Sequence, residues 1–392
     1  VVVGIVSIPM MYFFIRSVIS PRAAIFATTL FAVLRWNLHY SRSGHSAVLM
    51  NAAEIAAFYF FFKAIETRKP FIWFMAGLAL GLTWHGVLAG FLLIIPVILY
   101  FVISAFSRKD FFKSNAIGIF AFVFGFWIFG SMIVHNYFLS KSIYFARVGE
   151  VSVFSKDPNA PSKNPAKGIV ENARVVLNMF NHRGDSRQRN SGGQPYEPTI
   201  DFTSAILYGI GFLYAVYYSK YYMFFILVMV FFSQAAGSIF SIEAPSAMRA
   251  VGTMVPAIFF IAFIFNKILL AFRKAIGKKG EVIYYPLLLA VFLIPIVKDN
   301  YNQYFGRWVG GMDELTTATG LYSRKLGSDW RIVMFTNTYF PGHPPFKISR
   351  NDKANTASRL TTALTYLKYV ENDNFALLFH YDTWQGYDNI KS

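Results

Sequence analysis

Four polar segments hold the residues that could do chemistry. The first is His39-Tyr-Ser-Arg-Ser-Gly-His45. It offers Arg42 and His45, and near headgroup depth a cation can hold a lipid phosphate, Arg through a forked pair of donors. The same two side chains could instead be interfacial anchors. The second segment, 180–195, places Arg183, Asp185, Arg187 and Arg189 within seven residues of one another, beside glycines that let backbone approach a ligand. Such a loop can bind a phosphate and a sugar together. Asp185 is its best carboxylate for a base, provided its geometry leaves it open to a substrate proton. The third, 241–249, carries Glu243 and Arg249 around Pro245 and Ser246. Either these two pair with each other, or they face the same cavity as the first two segments. The fourth, 83–86, contains His85, a ligand to substrate or a turn residue bonded to backbone. Glu54 stands apart. A carboxylate inside an apolar run is costly in lipid, so it should face the bundle interior.

Apolar runs near 1–15, 23–36, 47–65, 71–86, 87–106, 114–138, 202–219, 221–240, 250–270 and 281–297 must position these segments. A helix needs about 20 apolar residues to cross the hydrocarbon core, and ten such spans are expected here. The chain is 55% hydrophobic and 15% charged, where soluble domains carry roughly 25% charged residues. The charge sorts by side. Connectors 16–22, 63–69, 107–113, Lys220 and 273–279 are short and basic, which marks them as cytoplasmic. Segments 35–46, 85–86, 139–201, 241–249 and everything after Lys298 therefore lie outside. The net charge of +17 fits anionic headgroups and a phosphate-bearing lipid better than nucleic acid, because no basic run stands on a separate polar domain. There is no cysteine, which excludes disulfides, thiolate metal sites and a Cys nucleophile. Gly77 and Gly81 form a GxxxG pair expected to serve close helix packing.

The expected organisation is a transmembrane domain over 1–297, with an outer loop at 139–201, and an extracytoplasmic α/β domain over 298–392. In the latter, 331–335 reads as a strand, 356–370 as a helix and 375–379 as a strand. The stretch 156–167 reads as a flexible part of the long loop. Val1 opens inside an apolar run, so an upstream helix and outer loop are expected before it, with a cleaved signal peptide as the rival reading. No Walker A loop, HExxH or GxSxG motif is present. His343, His380 and Asp382 are too scattered for a metal site, and no metal or other cofactor is expected.

Three stretches, in order, resemble those of the GT-C class of membrane glycosyltransferases, in the branch of the protein O-mannosyltransferases and the lipid A aminoarabinose transferase. They are 38–45 followed by 76–85; Asn181-His-Arg-Gly-Asp185 through Arg189-Asn190 and 193–195; and Glu243-Ala-Pro-Ser-Ala-Met-Arg249. The resemblance implies a polytopic helical membrane fold and a polyprenyl-phosphate sugar donor. It further implies transfer outside the cytoplasmic membrane to a protein, lipid or cell-wall glycan. It also implies a catalytic acidic residue in the first outer loop, which the topology puts upstream of Val1, so that base is assigned to no residue here. The competing classes are a transporter or lipid flippase, and a scaffold whose outer domain binds a partner.

Overall fold

The computed structural model describes residues 1–139, 152–154, 165–187, 190, 192–307, 321–322, 325, 330–335 and 374–379. The chain divides into two units, Val1–Trp308 and Val309–Ser392.

The first unit is a helical bundle. Its helices are α1 (Val2–Val18), α2 (Pro21–Val33), α3 (Arg35–Ser43), α4 (Ala47–Thr67), α5 (Pro70–Thr83), α6 (Ile94–Ser107), α7 (Phe111–Leu139), α8 (Pro165–Asn178), α9 (Phe202–Tyr217), α10 (Tyr222–Ile239), α11 (Met254–Ile276) and α12 (Glu281–Tyr301). Among the described residues, six segments are long and apolar enough to cross a membrane: Ala47–Thr67, Leu88–Ser107, Phe111–Asn136, Tyr222–Ile239, Val251–Ile276 and Lys278–Arg307. The protein is thus a multi-pass membrane protein. The other four expected spans are the apolar helices α1, α2, α5 and α9, which have 17 residues or fewer. α6, α7 and α12 turn Phe106, Ile117, Phe120, Val282 and Ile283 outward, as a bundle solvated by hydrocarbon must.

Local sequence explains the helix ends that matter. Ser20 caps α2 by accepting from the Ala23 amide, with Pro21 at the first helical position. Asp201 caps α9, its Oδ1 accepting from Ser204 N at 2.9 Å. Its Oδ2 accepts from Asn300 Nδ2 at 3.0 Å, which ties the cap to α12. α5 and α7 pack backbone to backbone. A Cβ on Gly77 would lie 1.9 Å from the Phe122 carbonyl oxygen, one on Gly81 2.5 Å from that of Phe126, and one on Gly125 2.3 Å from that of Phe74. The GxxxG pair is therefore a packing device.

Two helices stand where loop was expected. The second apolar run ends at Val33, and Leu34 is extended. Residues 35–43 then form α3, which buries Arg35, Trp36 and Tyr40. Inside the long loop, α8 sets Ile169, Asn172, Ala173 and Val176 on its inner face, a spacing of three and four residues. Asn172 Nδ2 donates to the carbonyls of Ile239 and Ser241, each at 2.8 Å, and so closes the C-terminal end of α10. Most of the stretch 156–167 lies outside the described residues.

In the second unit, β1 (Trp330–Phe335) pairs in parallel with β2 (Asn374–Phe379), from Trp330 opposite Asn374 to Phe335 opposite Phe379. Parallel pairing needs a long crossover. The helix expected there, 356–370, lies outside the described residues, as do His343, His380 and Asp382.

Candidate active site

The sharp turn after α8 builds the centre of the site. Gly184 N donates to Tyr196 O, and Tyr196 N donates to Asp185 O, both at 3.0 Å. This brings Gly184 and Asp185 back against Tyr196. The fold demands glycine at two places. A Cβ on Gly184 would meet the Glu197 carbonyl oxygen at 1.9 Å. Gly192 has φ +66° and sits where a Cβ would press on His39 at 2.7 Å.

Asp185 is fully buried within that turn. Its Oδ1 accepts from Arg187 N at 2.9 Å and Arg187 Nε at 2.8 Å. Its Oδ2 accepts from Arg187 Nη2 at 3.2 Å, Asn190 Nδ2 at 2.7 Å and Ala247 N at 3.0 Å. An ionised carboxylate offers about four lone-pair sites, and these donors fill them. Asp185 has the surroundings of an organising anion, with no lone pair left for an acceptor hydroxyl.

From this carboxylate the network spreads to the third segment. Arg187 Nη2 donates to the carbonyls of Glu243 at 2.8 Å and Pro245 at 3.1 Å. Glu243 Oε2 lies 2.9 Å from Arg187 Nη1 and 2.6 Å from Arg249 Nη2. Arg249 Nη1 also donates to Ser241 Oγ. Partial burial works against the Glu243 carboxylate, but Arg249 and Arg187 outweigh it and hold its pKa below the ordinary value. Burial likewise lowers the Arg187 guanidinium, yet its bond and charge contact with Asp185, together with Glu243, raise it overall. The pairing of Glu243 with Arg249 expected from the sequence is present, and both belong to one cluster with Asp185 and Arg187.

The first segment joins through Tyr40, whose hydroxyl donates to Asn190 O at 2.6 Å. Burial raises the pKa of that phenol, which keeps it a donor. The His45 ring lies 5.5 Å from the Tyr40 ring, and His45 Nδ1 accepts from Ala47 N at 3.2 Å, at the start of α4. Arg42 is exposed and stands over Tyr304 and Phe305, 5.6 and 5.5 Å from their centroids. Arg183, also exposed, lies 4.3 Å over the Tyr196 ring. Both are held by cation–π contact. Arg189 lies outside the described residues. His85 Nε2 is 3.1 Å from Phe129 O, which makes it a turn residue bonded to backbone. Glu54 is fully buried inside the bundle, as the sequence requires, and neither carboxylate oxygen meets a donor among the described residues.

Arg35, which belongs to none of the motifs, also holds the site. It is buried and donates to the Pro198 carbonyl, with Asp299 Oδ2 at 3.8 Å. Its own amide donates to Asn300 Oδ1 at 2.9 Å. Burial lowers its pKa, while Asp299, Glu197 and Asp201 oppose that. Arg35 thereby pins the end of the loop to α3 and α12.

Residues of 38–45, 181–195 and 243–249 thus form one bonded constellation on a helical scaffold, while 76–85 packs apart from it, with His85 on Phe129. Residues 1–135 match the family model described as dolichyl-phosphate-mannose-protein mannosyltransferase. Among solved structures, the apo oligosaccharyltransferase of Archaeoglobus fulgidus superposes with a TM-score of 0.53 at 14% identity, covering 92% of this chain and 53% of that one. The same enzyme in complex with Zn and sulfate gives 0.52 at 13% identity, covering 92% and 50%. The chain shares that fold and spans about half the length of those structures. No curated protein matches the sequence. The family match covers the first third of the chain, which holds 38–45 and 76–85, and the fold match covers 92% of it; both agree with the GT-C resemblance.

Proposed function

We propose that this chain is the membrane part of a glycosyltransferase that moves one sugar from a polyprenyl-phosphate donor to an acceptor outside the cytoplasmic membrane. The acceptor is a protein, a lipid or a cell-wall glycan. The observation that carries the reading is the meeting of segments 38–45, 181–195 and 243–249 around Asp185: Tyr40 reaches Asn190, Asn190 and Arg187 hold Asp185, and Ala247 closes it from the third.

In this reading Asp185 sets the loop, and the cations act on the donor. An acceptor oxygen attacks the anomeric carbon, the bond from that carbon to the phosphate oxygen breaks, and the lipid phosphate leaves with the electron pair. Charge grows on the phosphate as the bond stretches. Fixed guanidiniums from Arg187 and Arg249 stabilise it there, with Arg42, His45 and Arg183 at the rim. The prenyl tail lies among membrane lipids and the outward apolar helix faces. No residue of this chain is assigned as the base that takes the acceptor proton.

The test is transfer by the full-length protein in liposomes supplied with radiolabelled polyprenyl-phosphate mannose and a membrane extract as acceptor. Label should move to the acceptor fraction, and Arg187→Ala or Arg249→Ala should lower kcat/KM by roughly a hundredfold or more. Label that never leaves the lipid, while that lipid still crosses the bilayer, would favour a flippase instead.

A further inference from the structure

Arg187 and Arg249 come from different segments, yet their guanidiniums converge on one atom, Glu243 Oε2. The two carboxylates of the cluster differ sharply. The Asp185 side chain is 0% exposed and saturated with donors. The Glu243 side chain is 40% exposed, and its two arginines are 22% and 18% exposed. Two partly exposed guanidiniums bracketing one oxygen is the geometry of an anion site. Here the anion is the protein's own.

The backbone of Glu243 is pinned while its side chain is not. Its amide donates to Ser241 Oγ at 3.1 Å, and its carbonyl accepts from Arg187 Nη2 at 2.8 Å. Withdrawing the carboxylate therefore needs a change of side-chain rotamer and no rearrangement of the loop. Arg187 would stay held by Asp185, and Arg249 by Ser241. Both guanidiniums would keep their places as the carboxylate left. The cluster's formal charge would go from zero, with Asp185 and Glu243 against Arg187 and Arg249, to one positive. Exposed ion pairs contribute only about 0.2–1 kcal/mol each, so the internal ligand is weakly held. A phosphate monoester carries about −1.5 to −2 charge on three acceptor oxygens, against one charge on two oxygens for Glu243, and so is the stronger partner for two guanidiniums.

We propose that Arg187 and Arg249 form a clamp for a phosphate ester, and that Glu243 occupies the phosphate's place until the ligand displaces it. Naming phosphate as the ligand rests on the glycosyltransferase reading; the self-occupied anion site does not. Glu243 is then a competitor that weakens binding of the phosphate and speeds its release after the bond to the sugar has broken.

The experiment is equilibrium binding to the purified full-length protein in detergent, with inorganic phosphate and a short-chain prenyl monophosphate as separate probes. Glu243→Gln should tighten binding about tenfold, the size expected from losing two exposed ion pairs. Glu243→Ala should do the same, which guards against a fault peculiar to one variant, and thermal unfolding checks that both are folded. Adding Arg249→Ala to Glu243→Gln should reverse the gain. Tightening with both probes identifies the phosphate group itself as the ligand; tightening with the prenyl phosphate alone identifies a lipid headgroup. Either supports the clamp. Unchanged or weaker binding in both Glu243 variants would overturn it, because Glu243 would then be a prop for the arginines. Sugar transfer is not the readout, so a protein that transfers nothing can still show the tightening. One that transfers normally without it loses only this inference.

Discussion

Asp185 and Glu243 show how one residue type serves two ends within a single cluster. Asp185 is buried and joins three segments. Asp185→Asn keeps the shape but puts an amide nitrogen against donors from Arg187, Asn190 or Ala247. Leaving the partly buried Arg187 short of its counter-charge should cost about 3–5 kcal/mol, read as a lower midpoint of thermal unfolding in detergent. Glu243→Gln should lower that midpoint by much less near neutral pH, about 0.2–1 kcal/mol for each of the two lost pairs. Its contribution has a definite pH sign. The folded pKa lies below the ordinary 4.5, so the stabilisation is present above 4.5 and is lost as pH falls through the lower folded value. The stability difference between wild type and Glu243→Gln should shrink on acidification below about 4.5; a difference flat across that window would show that the arginines do not hold Glu243. The residue types of this cluster were legible in the sequence, because three arginines and a carboxylate in a short Gly-rich loop are unusual next to a span. Their division of labour was not. Which carboxylate is saturated depends on Ala247 N, sixty-two residues away. Arg35 was hidden for the same reason: its partners Pro198 and Asp299 are distant in sequence, and alone it reads as an interfacial anchor.

At the scale of elements, the apolar runs were readable and their ends were not. Hydropathy reports burial in lipid or protein, and α3 is buried in protein despite its polar residues. Its helix starts after an extended Leu34 because Asn300 takes the Arg35 amide and Asn37 Nδ2 reaches back to Phe31 O at 3.0 Å. α8 did leave a signal, the spacing of Ile169, Ala173 and Val176, but it is short beside the spans around it. Its function in the fold comes from Asn172, which fixes the turn carrying Glu243. Asn172→Ala should therefore loosen the 241–249 turn and raise amide hydrogen exchange there, while exchange in α5 and α7 stays as it was. The α5–α7 seam makes a separate prediction. Gly77→Leu drives a side chain into the Phe122 backbone, where only a shift of a whole helix gives room. The loss should exceed the roughly 1–3 kcal/mol common for overpacked cores. Recovery of normally folded Gly77→Leu protein in detergent, with an unchanged unfolding midpoint, would show that the seam can open.

At the scale of the whole molecule, the reading depends on which side of the membrane holds the cluster. The helices show where the loops gather, and the lysines and arginines predict which way the bundle faces. The connectors that carry Arg68 and Lys69, Arg108 and Lys109, and Lys278 and Lys279 are short and basic, which is the pattern expected of cytoplasmic connectors. The cluster residues hang from the opposite helix ends: 180–200 precedes α9, and 241–249 lies between α10 and α11. Because the chain contains no cysteine, single cysteines can be added without clearing others away. Lys109→Cys and Lys278→Cys should react with a membrane-impermeant maleimide only after the cells are permeabilised. His182→Cys, on an exposed turn at the other end, should react in intact cells. That pattern puts the arginine cluster where soluble nucleotide sugars are absent and a lipid-linked phosphate donor is the available chemistry. The reverse pattern would put it in the cytoplasm, in reach of nucleotide-activated sugars, and the polyprenyl-phosphate donor would lose its physical rationale even though every contact in the cluster stayed the same.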